Sequence, residues 1–377
     1  VYRFELMDGD GTSSGLVDTV SGELVLLRLL PDGAVQGYTE VGELPVFTVS
    51  VDASGIVTLS QQRALHHTDP NDPNDPVSLD PGLLSLVRTD TITDGDGDQA
   101  TGEASMDLGS RLSFLDDGIG GEDGDSVQLV WDESDLRTNT SQVPMVFLGA
   151  EHVLPWFPPP VVGADGVMPG VSYRLSAIDG VSLGYWTTAL RYQPDEELRV
   201  VKVSDTEYHI RSGGAADVLA ITVSIDATTG DLSVMQHHAL AHPVAGGSPA
   251  DHDDALTLAG WLSVERTLTD GDGDSAQQRV PLRLVIHDDG PVAIQPEAAQ
   301  ILNWAGQVAE GSLDLPDASL LDNFRFDGAG RVVFDASLDG AAATDPVTGN
   351  PLRSGGLAIT YSLSDDGTVL TASSALG

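Results

Sequence analysis

The sequence predicts an all-β protein built of tandem β-sandwich domains of Ig-like or Greek-key type, joined end to end, with an incomplete third copy. Three observations carry this. Short stretches alternate apolar and polar residues with period two, as in Phe47-Thr48-Val49-Ser50-Val51-Asp52, which suits half-buried strands. No sustained 3.6-residue stripe with helix caps interrupts them, and Gly, Pro, Asn and Asp punctuate the runs at sandwich spacing. The pattern also repeats: Ile221-Thr222-Val223-Ser224-Ile225-Asp226 echoes the first strand 174 residues later.

Taken in order, each copy follows that strand with a turn and a second strand ending alike. These ends are Gln61-Gln62-Arg63-Ala64-Leu65-His66-His67 and Gln236-His237-His238-Ala239-Leu240-Ala241-His242. A polar Asp/Pro-rich loop comes next, 68–76 in one copy and 243–254 in the other. Leu83 to Arg88 and Gly260 to Arg266 then lead into two identical turns, Asp94-Gly95-Asp96-Gly97-Asp98 and Asp270-Gly271-Asp272-Gly273-Asp274. Each copy closes with an alternating strand, 104–115 or 280–286, running into Asp116-Asp117-Gly118 or Asp288-Asp289-Gly290. The offset drifts little, so the two copies are a tandem duplication.

The expected domains are 1–126, 127–292 and 293–377. In the last, Leu357 to Gly367 resembles Val171 to Gly180, but the chain ends before a third acidic turn. The second copy carries Pro155-Trp156-Phe157-Pro158-Pro159-Pro160, which reads as a stiff packed linker or, alternatively, as a ligand platform. The opening residues Val1 to Leu6 are already strand-like and lack methionine and signal peptide, as expected of a segment of something longer.

Alternating aspartates and glycines are first of all a turn signal, since both residues tolerate positive φ. The same spacing also converges three carboxylates, which repel unless a cation sits among them. All-oxygen ligands suit Ca²⁺, with its six to eight oxygens in loose geometry, better than Mg²⁺. The loop is not an EF-hand, which needs glycine sixth and glutamate twelfth; Gln99 and Ser105 stand there. Nor does Gly120-Gly121-Glu122-Asp123-Gly124-Asp125 match the nonapeptide of calcium-loaded β-helices.

Duplication of the turn, coupled each time to an acidic pair, favours metal over plain turn. The candidate calcium ligands are therefore Asp94, Asp96, Asp98, Asp116 and Asp117, with Asp270, Asp272, Asp274, Asp288 and Asp289. Glu133 and Glu310 join them, because each opens the strand after an acidic pair and could share an ion across the junction, stiffening it. The competing reading makes both glutamates ordinary exposed strand residues.

Charge agrees with this assignment. With 58 acidic and 17 basic residues the chain carries a net charge of −41, which excludes nucleic acid and anionic membrane as partners. Such charge opposes compaction, and bound cations would relieve it. No apolar run approaches the roughly 18 residues of a membrane span, and there is no cysteine for disulfides or thiol chemistry. His66, His67, His237, His238, His242 and His252 invite a zinc reading, but only His67 and His242 are equivalent, and strand-closing hydrogen bonds account for them more simply. No Gly-x-Ser-x-Gly, HExxH or phosphate loop is present. The prominent acids recur once per repeat, which fits scaffold better than a single glycosidase pair, so no catalysis is expected. Trp131, Trp156, Trp186, Trp261 and Trp304 could stack on sugars. Trp261 reads as core, and Trp156 and Trp186 as the more exposed.

As a set, Gly15 to Thr19, Phe47 to Ala53, Gln61 to Ala64, Asn74 to Leu79, Thr93 to Asp98 and Asp116 to Gly118 resemble the roughly 140-residue repeat of giant type I-secreted RTX adhesins of Gram-negative bacteria. The second copy resembles it mainly in its latter half, ending His287-Asp288-Asp289-Gly290-Pro291-Val292. The resemblance implies extracellular, calcium-dependent β-sandwich arrays at the cell surface, acting in adhesion and biofilm formation, with the acidic turns and pairs as ligands. It implies a monomer whose partners are its neighbouring repeats, and alternatively a glycan or surface polymer held by the second copy. One departure stands out: Ile119 follows Gly118 where the pattern has proline, which predicts a looser first junction.

Overall fold

The computed structural model describes residues 1–70, 72, 74–136, 153–191, 193–244, 252–292, 307–310, 323–328 and 330–375. By its contacts the chain forms two compact units. The larger takes the described residues of 1–133, 142–245 and 254–288, and the smaller those of 134–141, 246–253 and 289–377.

The first repeat is a two-layer sandwich. One layer is the antiparallel sheet β2 (Thr12–Val17), β3 (Leu24–Leu29), β4 (Val35–Thr39), β5 (Pro45–Val51) and β6 (Val57–Gln61), in that order. The other comprises β1 (Tyr2–Leu6) paired with β8 (Leu84–Thr93) and then β9 (Gln99–Asp107), extended by β7 (Pro76–Ser78) against β10 (Ser113–Leu115). Alternation decides which face each strand buries: Val25 and Leu27 are buried while their neighbours Leu24, Leu26 and Arg28 are not. Their core partners are Phe4, Val35, Phe47, Leu84 and Phe114, with the Phe47 and Phe114 rings 5.0 Å apart. Each such side chain contributes about 1.5–3 kcal/mol by leaving water. A Cβ at Gly37 would run into the Phe47 ring, so β4 needs a glycine where it faces that residue.

The second repeat follows the same plan. The sheet β13 (Leu198–Lys202), β14 (Glu207–Ser212), β15 (Leu219–Ile225) and β16 (Leu232–Gln236) faces the sheet β11 (Val127–Asp132), β18 (Ser275–His287), β17 (Ala255–Thr269) and β12 (Ser172–Ala177). Here β17 and β18 each fuse what are two strands in the first repeat, with a register shift between Ala259 and Leu262 where Gly260 adopts positive φ. Strand β11 lies parallel to β18, placing Asp132 beside His287. Trp261 is core, as its alternation predicts.

The Trp/Pro segment is packed. Phe157 is buried under the Arg266 guanidinium, 4.7 Å from ring centroid to Cζ, and Pro158 O accepts from Arg266 Nη2 and Gln278 Nε2. Trp156 and Trp186 are both half-buried, and the Trp186 indole N–H donates to Gln193 O; Trp304 lies outside the described residues. In the smaller unit β19 (Arg353–Ser354), β20 (Leu357–Leu363) and β21 (Leu370–Ser374) form an antiparallel sheet. Among the described residues no helix is long and apolar enough to cross a membrane.

Candidate metal centre

The two acidic turns share one backbone design and occupy opposite environments. In each, the first aspartate's N–H donates to the last aspartate's carbonyl at 3.0 Å, and its Oδ1 accepts from the second glycine's amide. Gly97 and Gly273 both take positive φ, +101° and +115°, which disfavours a side chain there. The first turn is exposed, with nothing within 4 Å of a Cβ built at Gly95. Its Asp94, Asp96 and Asp98 can bring ligand oxygens together, and Asp94 Oδ1 also accepts from the Asp96 and Asp98 amides.

The second turn, at the tip of the β17–β18 hairpin, is seated against the end of the first repeat. Asp270 Oδ2 accepts from Ile119 N at 3.1 Å and Asp272 Oδ2 from His67 N at 3.2 Å. A Cβ at Gly271 would stand 2.6 Å from Asp165 O and 2.9 Å from Thr19 Cγ2, so only glycine allows this approach. Ile119 makes here a contact that the expected proline could not. A proline there has no N–H, whereas Ile119 is buried and its amide holds the incoming turn.

Carboxylates crowd this joint. Oxygens of Asp116, Asp272 and Asp274 lie within 4.8 Å of one another, as do ligand atoms of His67, Asp75 and Asp116. Asp116 and Asp274 are buried, and Asp116 Oδ2, Asp272 Oδ1, Asp274 Oδ2 and Asp75 Oδ1 have no hydrogen-bond partner among the described residues. Burial first, and then the neighbouring charges of Asp116, Asp270 and Asp272, push the Asp274 carboxyl up to about 6. Burial likewise raises Asp165 to about 6, with Asp272, Asp117 and Asp116 adding to the shift, and burial raises Asp270. Each group wants to shed charge that a cation would instead neutralise. Asp117 plays a different part: its Oδ2 accepts from Ala164 N at 2.9 Å and ties down the linker. A cleft of about 470 Å³, lined in part by Arg63, His67, Asp117 and Asp165, opens beside the cluster.

A family model described as a domain of unknown function, DUF5801, matches residues 1–109 and 128–283. The chain belongs to the DUF5801 family. Comparison with curated proteins found no match. The two DUF5801 segments coincide with the two repeats and include both acidic turns, and they stop short of both Asp-Asp-Gly pairs.

Glu133 goes elsewhere than expected. The parallel pairing of β11 carries it to Asp288 and His242, not to Asp116 and Asp117, because β11 completes the second repeat's own sheet. It is fully buried, with Oε1 accepting from Gln236 Nε2 and from Leu240 N at 3.1 Å. At this end His242 Nε2 is 3.9 Å from Asp288 Oδ1 and 4.0 Å from Glu133 Oε2. In the smaller unit Asp289 Oδ2 accepts from Phe326 N at 2.8 Å, and Glu310 is exposed. Sequence reasoning missed Asp75, Asp165 and Asp254, which lie in irregular loops, and set His67 and His242 aside. Their equivalence between the copies was the signal available.

Proposed function

We propose that this DUF5801 chain is a non-catalytic, calcium-stabilised repeat module that extends and stiffens a large secreted RTX adhesin, working outside the cell in surface attachment. The observation that supports it is the second acidic turn seated on the first repeat, with buried carboxylate oxygens of Asp116, Asp272 and Asp274 left without hydrogen-bond partners. An all-oxygen, acid-rich set suits Ca²⁺, and extracellular calcium is abundant enough to fill sites of modest affinity. Asp116 belongs to one repeat and Asp272 and Asp274 to the other, so one ion held among them would couple two sandwiches. Bound, the ion supplies positive charge where repulsion otherwise opposes the joint. The chain's own amides at Ile119 and His67 position the turn for it. The adhesin context rests on the sequence resemblance. Among the described residues Trp156 and Trp186, the rings that would serve the glycan-binding alternative, are half-buried.

Thermal unfolding with calcium and with chelator tests the reading. A ligand that binds only the folded state stabilises it by RT ln(1 + [L]/Kd), so millimolar calcium should raise the midpoint by several degrees or more. Small-angle scattering on the same samples should show a larger maximum dimension in calcium. Indifference of both measurements to chelator would end the proposal.

A further inference from the structure

We propose that His67, Asp75 and Asp116 form a second metal site beside the calcium set, one that takes a transition ion of the Zn²⁺ class, and that His242 marks its duplicate in the second repeat. The inference goes beyond the calcium reading, because imidazole nitrogen is a poor ligand for Ca²⁺ and a common one for Zn²⁺.

His67 is oriented as a ligand. Its Nε2 stands 3.4 Å from Phe114 O, a carbonyl that can only accept, so the contact suits a proton on Nε2 and turns Nδ1 toward the carboxylates. A backbone carbonyl on the far nitrogen is the usual means of fixing a metal-bound imidazole. Nδ1 has no hydrogen-bond partner among the described residues and faces Asp116 Oδ1 at 3.5 Å and Asp272 Oδ2 at 3.7 Å. The His67 side chain is 4% exposed, that of Asp116 1% and that of Asp272 2%. These separations are too long for a charge-assisted hydrogen bond, which closes to about 2.7–2.9 Å. The His67–Asp116 distance matches the spacing of two ligands flanking one ion: bonds of about 2.1 Å in tetrahedral geometry put the ligand atoms roughly 3.4 Å apart. Asp75 Oδ1 and Asp116 Oδ2 also lack partners, while Asp75 Oδ2 is held by the Thr68 and Asp69 amides. Asp116 belongs to both sets, so its two oxygens would serve adjacent ions.

The second repeat offers a variant of the arrangement, with Glu133 beside His242 and Asp288. Asp288 N donates to Asp254 O at 3.0 Å as Asp116 N does to Asp75 O at 3.2 Å, which makes Asp254 and Asp288 the counterparts of Asp75 and Asp116. Between them His242, its side chain 2% exposed, has neither ring nitrogen hydrogen-bonded among the described residues. One nitrogen faces Asp288 and Glu133, and the other stands 4.0 Å from Asp254 Oδ1.

The test is a Co²⁺ titration of the full chain in saturating calcium, read by visible absorption and by metal content after gel filtration. The expected result is about two equivalents of Co²⁺ with ligand-field bands, displaced by Zn²⁺. His67→Gln should lose one equivalent and the His67→Gln/His242→Gln double variant both, with at least about 100-fold weaker binding. The calcium-dependent melting shift should persist in these variants. Absence of bands in the unmodified chain would overturn the proposal, and so would Co²⁺ content unchanged by both substitutions. A calcium shift that fails while Co²⁺ still binds through the histidines would count against the calcium reading alone.

Discussion

Replacing Asp274 by asparagine should stabilise the chain in chelator and forfeit most of that gain in calcium. Asp274 is 5% exposed, and its carboxyl is pushed from an ordinary 3.8 up to about 6 by burial and by Asp116, Asp270 and Asp272. The folded state therefore holds the proton more tightly than the unfolded chain. The favourable contribution is complete below 3.8 and is lost as pH rises through 6, so at pH 7.5 the ionised side chain opposes folding by up to about 3 kcal/mol. Asparagine removes that opposition, and its amide can donate to Asp116. In chelator the melting midpoint should rise by roughly 5–10 °C, at about 2–4 °C per kcal/mol for a domain of this size. In calcium most of that gain is cancelled. A site of about 10 μM affinity adds about 2.7 kcal/mol at 1 mM calcium, and a 100-fold weakening on loss of a charged ligand leaves about 0.4 kcal/mol. Differential scanning calorimetry of both proteins at both conditions reads the two calcium increments. A lower midpoint in chelator, or an unchanged calcium increment, would refute the reasoning.

The same linkage predicts a pH effect: in chelator, acidifying from 7.5 to 5.5 should raise the midpoint as Asp165 and Asp274 protonate, whereas with calcium present the rise should vanish. Asp94→Asn, on the exposed copy of the turn, keeps the acceptor for the Gly97 and Asp98 amides and should shift stability by no more than about 0.5 kcal/mol in urea titrations. Gly37→Ala should destabilise the first repeat by about 1–3 kcal/mol through collision with Phe47, also visible in urea. Arg266→Ala should loosen the Trp156–Pro160 segment by removing the hydrogen bond to Pro158 O and the guanidinium over the Phe157 ring, read as faster amide exchange there than in the unmodified chain.

The strands were legible because burial follows alternation locally: in β5, Phe47 and Val49 are buried while Thr48 is half-buried and Ser50 exposed. The duplicated acidic turns were legible too, but their fates were not. Identical residues at 94–98 and 270–274 differ only in what the tertiary fold brings to them, and period-two patterning carries no information on which sheet end meets which. Glu133 shows the same gap. Its position after an acidic pair suggested the nearer junction, whereas β11 runs parallel to β18 and delivers it to the far end of the second repeat. Ile119 looked like a weakened junction because the missing property, a proline ring, was visible, and the gained one, an amide for Asp270, needed a partner 151 residues away.

Anomalous diffraction from crystals grown in calcium tests the central claim most directly. The account predicts a peak bound by Asp116, Asp272 and Asp274, about 2.3–2.6 Å from their oxygens. Refined density showing those three carboxyls hydrogen-bonded to one another or to water, with no anomalous scatterer between them at millimolar calcium, would contradict it.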